Sequence, residues 1–464
     1  MVSTGIFPEI FARLCYRHDI IRLPDKSSTY SEIYRIQVSG ILEHHSTMLE
    51  NLATIIAEAN AGSIDSQLLL ADIYENGIGV EEDYEQAFEW YRMAAEAGSA
   101  RAQNRMGELY SDGIGVAEDQ KQAVYWFTRA ADQGDANARA SLGWCYQQGM
   151  GVEIDLEHSF RCYLAAAEAG HAGARFNVGY MYEHGQGTVH DDAAALQWYV
   201  KAARQGYSKA QLNAGLMYDH GSGTSRDQAE AAKWYLQAAK RGYTKAQYNL
   251  ALLYAGGSGV EQDDDEAFYW YSQAAEGGYA RAQFNLALFY LNGLGVQQDL
   301  DQAVHWLQQA AAQDYAKAWY QLGKVYAAGE AEDLQASVDC YLHAADLGYD
   351  RAQYRIGRLH EQGLGLAQDP ELAHEWFKKS ARQGFVKAQY VLGINYAKGR
   401  GMNKDLIKSY AWLYIANQNR AVPHIQNALA KVASKLTDSE IIEAKSLAFQ
   451  WQSRYQLNVT ISEE

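Results

Sequence analysis

The chain has 464 residues, a formal net charge of −17, 40 glycines and only 4 prolines. That acidic balance argues against nucleic acid or an anionic membrane surface as a partner, since phosphates would repel the chain at long range. No run approaches the roughly 18 to 20 apolar residues that a membrane-spanning helix needs, and scarce proline with abundant alanine predicts an almost wholly helical fold.

Residues 1–62 come first and carry no repeat signature. A helical stretch around Ile41 to Ala59 makes them an expected N-terminal helical cap. The beginning of the chain lacks a basic region followed by a long apolar run, and Cys15 after Arg13-Leu14 does not form a lipoprotein cleavage box. Cys15, Cys145, Cys162 and Cys340 show no recurring pair, so no disulfide framework is expected. Together these features predict a reducing, cytoplasmic setting.

From residue 63 to residue 419 a block of about 36 residues recurs ten times. Its clearest marker is an aspartate in step: Asp83, Asp119, Asp155, Asp191, Asp227, Asp263 and Asp299, resuming after a two-residue deletion at Asp333, Asp369 and Asp405. Units this small cannot bury their own apolar faces, so they must stack on their neighbours as one continuous core.

Within one unit, Met106, Leu109 and Tyr110 form an apolar stripe at helical spacing, and Gly113-Ile114-Gly115-Val116 breaks it with a turn. A second helical run follows, with Asp119 placed as its N-cap, Ala123, Trp126, Phe127, Ala130 and Ala131 on its apolar side, and Gly134 just past its end. Each block therefore reads as helix A, a glycine loop and helix B. The tyrosine of helix A recurs at Tyr74, Tyr110, Tyr146, Tyr182, Tyr218, Tyr254, Tyr290, Tyr326 and Tyr396, with His360 as the exception. The tryptophan of helix B recurs at Trp90, Trp126, Trp198, Trp234, Trp270, Trp306, Trp376 and Trp412, while Cys162 and Cys340 replace it in the third and eighth blocks. Those two blocks are expected to be looser, because a small side chain in a close-packed interior must be compensated by neighbours. The eighth block also shortens its turn to Gly329-Glu330-Ala331-Glu332-Asp333, which predicts a local change of twist.

After the last block, residues 420–464 read as a C-terminal helical cap. Thr437-Asp438-Ser439-Glu440 has capping-box spacing before an apolar-periodic run, Ile441 to Trp451.

The repeated strings, such as NLALLYAGGSGVEQDDDEAFYWYSQAAEGG from Asn249 to Gly278, resemble the Sel-1-like repeat family. The Gly-x-Gly-Val turn, the aspartate, the Trp-Tyr pair and the Ala-Ala-x-x-Gly ending all coincide, over roughly residues 63 to 419. A tetratricopeptide array would step by about 34 residues and usually end its units with proline. The resemblance implies an all-α, right-handed α/α solenoid of about ten 36-residue helix-turn-helix repeats with helical caps, in which helix A lines the concave surface. It also implies a place where some secreted members carry a cysteine pair, occupied in this chain by Ala95 and Gln103.

No nucleophile elbow, phosphate-binding loop, zinc-type cysteine cluster, His-Glu-x-x-His or Ser-x-x-Lys string occurs. The Gly-x-Gly pairs follow helices and recur in nearly every unit, as turn glycines do. His184 and His220 share a slot on successive A helices, each after a carboxylate, Glu183 and Asp219, and read as solvated helix-end polar residues. No catalytic residue, metal or cofactor is assigned.

Helical projection at 100° per residue puts Lys245, Tyr248, Asn249, Leu252 and Gly256 on one arc and Ala246, Gln247, Leu250, Ala251, Leu253 and Tyr254 opposite. The second set holds the most faithful rows and must be the packed side. Three ladders then run down the exposed side. One is apolar: Phe176, Leu212, Tyr248, Phe284, Tyr320, Tyr354 and Tyr390, supported by Tyr180, Leu216, Leu252, Leu288 and Ile394. One is amide: Asn177, Asn213, Asn249, Asn285 and Gln321. The third is basic: Lys209, Lys245, Arg281, Lys317, Arg351 and Lys387. Aromatic anchors, amides that meet peptide groups and a positive row suit an extended peptide or helix of a partner protein, with acidic side chains favoured by the cations. The expected function is a noncatalytic scaffold, and the resemblance extends it to bacterial signalling or complex assembly. An exported or cell-surface adaptor and a binder of glycan or cell-wall fragments are the alternatives.

Overall fold

A computed structural model describes residues 52–328 and 333–457. The stretch 1–51 expected to carry the first part of the N-terminal cap, with Cys15, and the shortened turn at Gly329 to Glu332 lie outside the described residues. Within them the chain forms twenty-three helices and no strand. The first, α1, covers 52–60. Helices A are α2 (Ile64–Asn76), α4 (Ala100–Asp112), α6 (Ala136–Gln148), α8 (Ala172–His184), α10 (Ser208–His220), α12 (Thr244–Gly256), α14 (Ala280–Asn292), α16 (Ala316–Ala328), α18 (Asp350–Gln362) and α20 (Val386–Lys398). Helices B are α3 (Tyr84–Glu96), α5 (Gln120–Asp132), α7 (Leu156–Glu168), α9 (Asp192–Arg204), α11 (Gln228–Ala239), α13 (Asp264–Glu276), α15 (Leu300–Ala311), α17 (Leu334–Asp346), α19 (Pro370–Arg382) and α21 (Leu406–Asn419). Two more follow, α22 (Pro423–Ala433) and α23 (Asp438–Tyr455).

The glycine turn is dictated by backbone geometry. Gly113 ends α4 in the left-handed region at φ 68°, with its N–H donated to the Leu109 carbonyl. Two residues later Gly115, also at φ 68°, lies so close to the preceding repeat that an added Cβ would stand 2.1 Å from the Tyr84 carbonyl oxygen. Only glycine meets both demands. The Asp119 N–H then donates to the Tyr110 carbonyl at 2.9 Å, and its carboxylate accepts from the N–H groups of Lys121 and Gln122 to cap α5.

The same closure recurs from Asp263 to Tyr254 and from Asp369 to His360. It uses the carbonyl of the tyrosine row, not the side chain, so His360 fits as well as tyrosine. Asp333 breaks the pattern: it precedes α17 in the helical region, and its side chain caps nothing.

Between repeats the chain reverses at a second glycine, Gly134 at φ 95°, two residues beyond the end of α5. Asp314 takes that slot at φ 57° between α15 and α16, a conformation aspartate tolerates better than most residues.

Long-range contacts gather into two compact units. One holds the described residues up to Met181 together with Gly185–Val189. The other holds Tyr182–His184 and His190 onward. In the second unit the core is built from rows of alanine and leucine on helix A, such as Ala246, Leu250, Ala251 and Leu253, against Tyr235, Trp270 and Tyr271 of helices B. Small residues let helices approach: a Cβ on Gly215 would stand 2.5 Å from the Tyr235 ring. Cys340 is buried, and Trp306 and Trp319 pack against its cluster. In the first unit the core has the same plan, with Met106 and Leu109 of α4 against Tyr91 and Trp126.

A buried glutamine row joins successive helices in both units. Gln103 Nε2 donates to the Ala95 carbonyl at 3.0 Å, at the place where the resemblance puts a cysteine pair. Gln133 Nε2 then donates to Gln103 Oε1 at 2.7 Å. In the second unit Gln283 donates to Ala275, and Gln313 to Gln283 at 2.9 Å. At the chain's far end α23 opens with a full Thr437–Glu440 capping box, and Trp451 stacks on Trp412 of α21 with centroids 4.7 Å apart.

Candidate functional site

The A helices present one face to solvent, and α12 shows it plainly. Lys245 and Leu252 are exposed, Tyr248 and Asn249 are half-buried, and Ala246, Gln247, Leu250, Ala251 and Leu253 are buried. Of the residues placed on this face by sequence, Phe176, Asn177 and Tyr180 lie in the first unit, all half-buried. The others lie in the second: Lys209 and Arg281 are exposed, and Asn213, Leu216, Phe284, Asn285 and Leu288 are half-buried.

Leu212 departs from the expectation. It is only 6% exposed and belongs to the core with Leu250. The slot sits at the margin of the exposed arc, where tyrosine or phenylalanine carries its ring out to partial exposure and leucine stops short.

The aromatic row has a partner row that the sequence reading passed over. Tyr248 meets Tyr279 edge-on with centroids 5.1 Å apart, Phe284 meets Tyr315 at 5.5 Å, Tyr320 meets Tyr349 at 5.3 Å and Tyr354 meets Phe385 at 5.3 Å. Interplanar angles fall between 64° and 71°, close to the edge-to-face arrangement that aromatic quadrupoles favour. The second ring of each pair sits in the link just before the next helix A. Its signal was present as Tyr207, Tyr243, Tyr279, Tyr315, Tyr349 and Phe385, again one block apart. Tyr390 closes the series against His424.

The amide row is partly committed to the fold. Asn285 Nδ2 donates to the buried Tyr271 hydroxyl at 3.1 Å, and Asn177 and Asn249 stand beside the Tyr163 and Tyr235 hydroxyls. Asn285 also stands beside the Tyr248 hydroxyl.

The cations behave differently in the two units. In the first, Arg101 pairs with Asp72 at 2.8 Å, and Arg105 pairs with Glu75 and Glu108. In the second, Lys209, Lys245, Arg281, Lys317, Arg351 and Lys387 form no ion pair with any described residue. Their fields still reach the rings. Burial pushes the phenols of Tyr248 and Tyr315 up, and the Arg281 guanidinium opposes the shift in both. Arg351 does the same to Tyr320 and Tyr349.

His184 and His220 gather no metal set: among the described residues no group of three His, Cys, Asp or Glu side chains could hold an ion. Glu183 instead accepts from the Tyr199 hydroxyl at 2.6 Å, and Asp219 from Gln228 Nε2 at 2.9 Å. Gln321, the last of the amide row, lies in a cavity of about 600 Å³ with Val304, His305, Lys324 and Val325.

The Sel1 repeat model matches residues 64–99, 100–135, 136–171, 172–207, 208–243, 244–279, 280–315, 350–385 and 386–419. It passes over 316–349, the block with the short turn and the uncapped Asp333. The chain is similar to c5321, described as a protective antigen of uropathogenic Escherichia coli strains displaying an SLR fold. The two are 32% identical with a TM-score of 0.77, over 88% of this chain and 90% of that one. It is also similar to a Sel1 repeat protein of Oxalobacter formigenes, 35% identical with a TM-score of 0.46, over 53% of this chain and 96% of that one. No curated protein matches the chain.

Proposed function

The chain is a member of the Sel1 repeat family, and from that premise we propose that it is a noncatalytic scaffold holding a segment of another protein along the exposed A-helix face of its second unit. The fold is one that generally serves protein interaction. The observation that carries the reading is the run of four aromatic pairs beside cations that no described side chain neutralises. Half-exposed rings held at fixed geometry lose little entropy when covered, which is why aromatic side chains dominate interface energetics.

Site-specific photocrosslinking in cells tests the face directly. A crosslinker at Leu252, 41% exposed on helix A, is expected to capture a partner that one at Tyr269, 51% exposed on helix B, does not. Capture from Tyr269 alone, or equally from both, would remove the A-helix face as the docking surface. We place this scaffold in the cytoplasm, in signalling or complex assembly of a bacterial cell. The likeness to a protective antigen supports a second reading as an exported or surface adaptor, and fractionation of cells carrying the native chain separates the two.

A further inference from the structure

We infer that the segment held by the second unit is extended and acidic, with carboxylates at about every third residue; this rests on the scaffold reading above. The argument is one of charge complementarity. Lys245, Arg281, Lys317 and Lys387 are exposed and Arg351 is half-buried, and each occupies the same slot of its own helix A. Packed helices are spaced about 10 Å apart, comparable to the Debye length of about 8 Å at physiological salt. Like charges at that spacing still feel one another, and an acidic protein has ample carboxylates with which to neutralise them. In the first unit it does so, through Asp72, Glu75 and Glu108. In the second, most carboxylates of the A helices are engaged elsewhere: Glu361 pairs with Arg358, Asp219 with Arg226, and Glu183 accepts from the Tyr199 hydroxyl. Asp350, which accepts the Arg351 backbone N–H, keeps its charge and is a single carboxylate beside the row. The cation row is thus left for a ligand that brings its own negative charge.

The pitch selects the form of that ligand. One helix-to-helix step of about 10 Å corresponds to about three residues of extended chain at 3.3 Å each. A segment in the extended polyproline II form, with three residues per turn and a rise of about 3.1 Å, brings every third side chain to one face, so aspartate or glutamate at that spacing sets one carboxylate against each cation. An α-helix, rising 1.5 Å per residue, would need its carboxylates about seven residues apart to do the same.

The test uses two fluorescein-labelled peptides, one with aspartate at every third position and its twin with asparagine there, titrated into the full chain by fluorescence anisotropy at low and high salt. The aspartate peptide is expected to bind at least tenfold more tightly at low salt, with the preference shrinking as salt rises and vanishing in Arg281→Glu with Lys317→Glu. Both positions are exposed, so circular dichroism is expected to show the native helix content. Equal affinity for the twins on the native chain, or a preference that survives charge reversal, would overturn the acidic assignment. A second variant, Leu252→Asn with Leu288→Asn, removes apolar area without adding charge. If it weakens both twins alike while they bind equally to the native chain, the docking face stands and only its charge selectivity is wrong. If neither twin binds, or neither responds to the leucine changes, the scaffold reading fails as well.

Discussion

At Gly295 two constraints coincide: φ is 60°, and an added Cβ would stand 2.2 Å from the Asp264 carbonyl oxygen. Gly278, at φ 82°, has open space around the same position. Gly295→Ala is therefore expected to lower stability by about 2 kcal/mol or more and Gly278→Ala by about 1 kcal/mol, the second figure being the cost of left-handed backbone alone. Urea unfolding of the pair separates steric collision from conformational strain. His374 offers a different residue-scale test. It is 5% exposed, meets the Tyr396 ring edge-on at 5.2 Å, and burial drives its pKa down to about 4. An unfolded histidine takes up its proton near pH 6.5. Between about 6.5 and 4 the unfolded chain thus binds a proton that the folded one refuses, and stability falls as pH falls through that window, by roughly 3 kcal/mol in all. In His374→Phe, which restores the ring found at Phe88 and Phe268 in the same row, that part of the acid loss is expected to disappear from the difference between the two stability curves.

Each hairpin is closed by the same few groups, and their worth differs with context. Asp299 caps α15 through the Gln302 N–H at 2.9 Å, whereas Asp333 makes no cap bond. Asp299→Ala is expected to cost about 1 kcal/mol and Asp333→Ala almost nothing, although the two stand in one sequence row. Gln283→Leu would leave Gln313 Nε2 without its acceptor, while the Ala275 carbonyl keeps the Gly278 N–H, at an expected cost of roughly 1 kcal/mol. This contrast shows what was legible in the sequence. Periodicity exposed the block length, the glycine turn and the two sides of helix A, because each is a property of local spacing. The glutamine row was visible only as polar residues on a packed side. Its partners lie 8 and 30 residues away, and spacing within a helix carries no trace of them. The second aromatic row was missed because it falls in the links, outside any helical projection. Leu212 went the other way, since a margin position is exposed or buried according to side-chain length.

Across the molecule the surface differs by helix: on helices B, cations such as Arg92, Lys233 and Lys378 pair with carboxylates of their own helix. Acidic residues crowd the turns and helix-B starts, as at Glu261, Asp263, Asp264, Asp265 and Glu266, while the unpaired cations line the A face of the second unit. The final helices finish that unit. Trp412, 3% exposed, is covered by Trp451 of α23. A chain ending at Asn419 is expected to uncover Trp412 and neighbouring core, melt at lower temperature and self-associate, measurable by light scattering alongside a thermal melt; an unchanged melt would show α21 to be stable without its cover. The glutamine links add one more property. Because Gln283 and Gln247 reach partners at identical offsets, excising 244–279 as a block would present Gln283 with Ala239 where Ala275 had been. Gene duplication or deletion by whole units therefore leaves the buried side-chain N–H of this row with a backbone carbonyl to meet, so the length of this protein is free to drift by such units without stranding that donor.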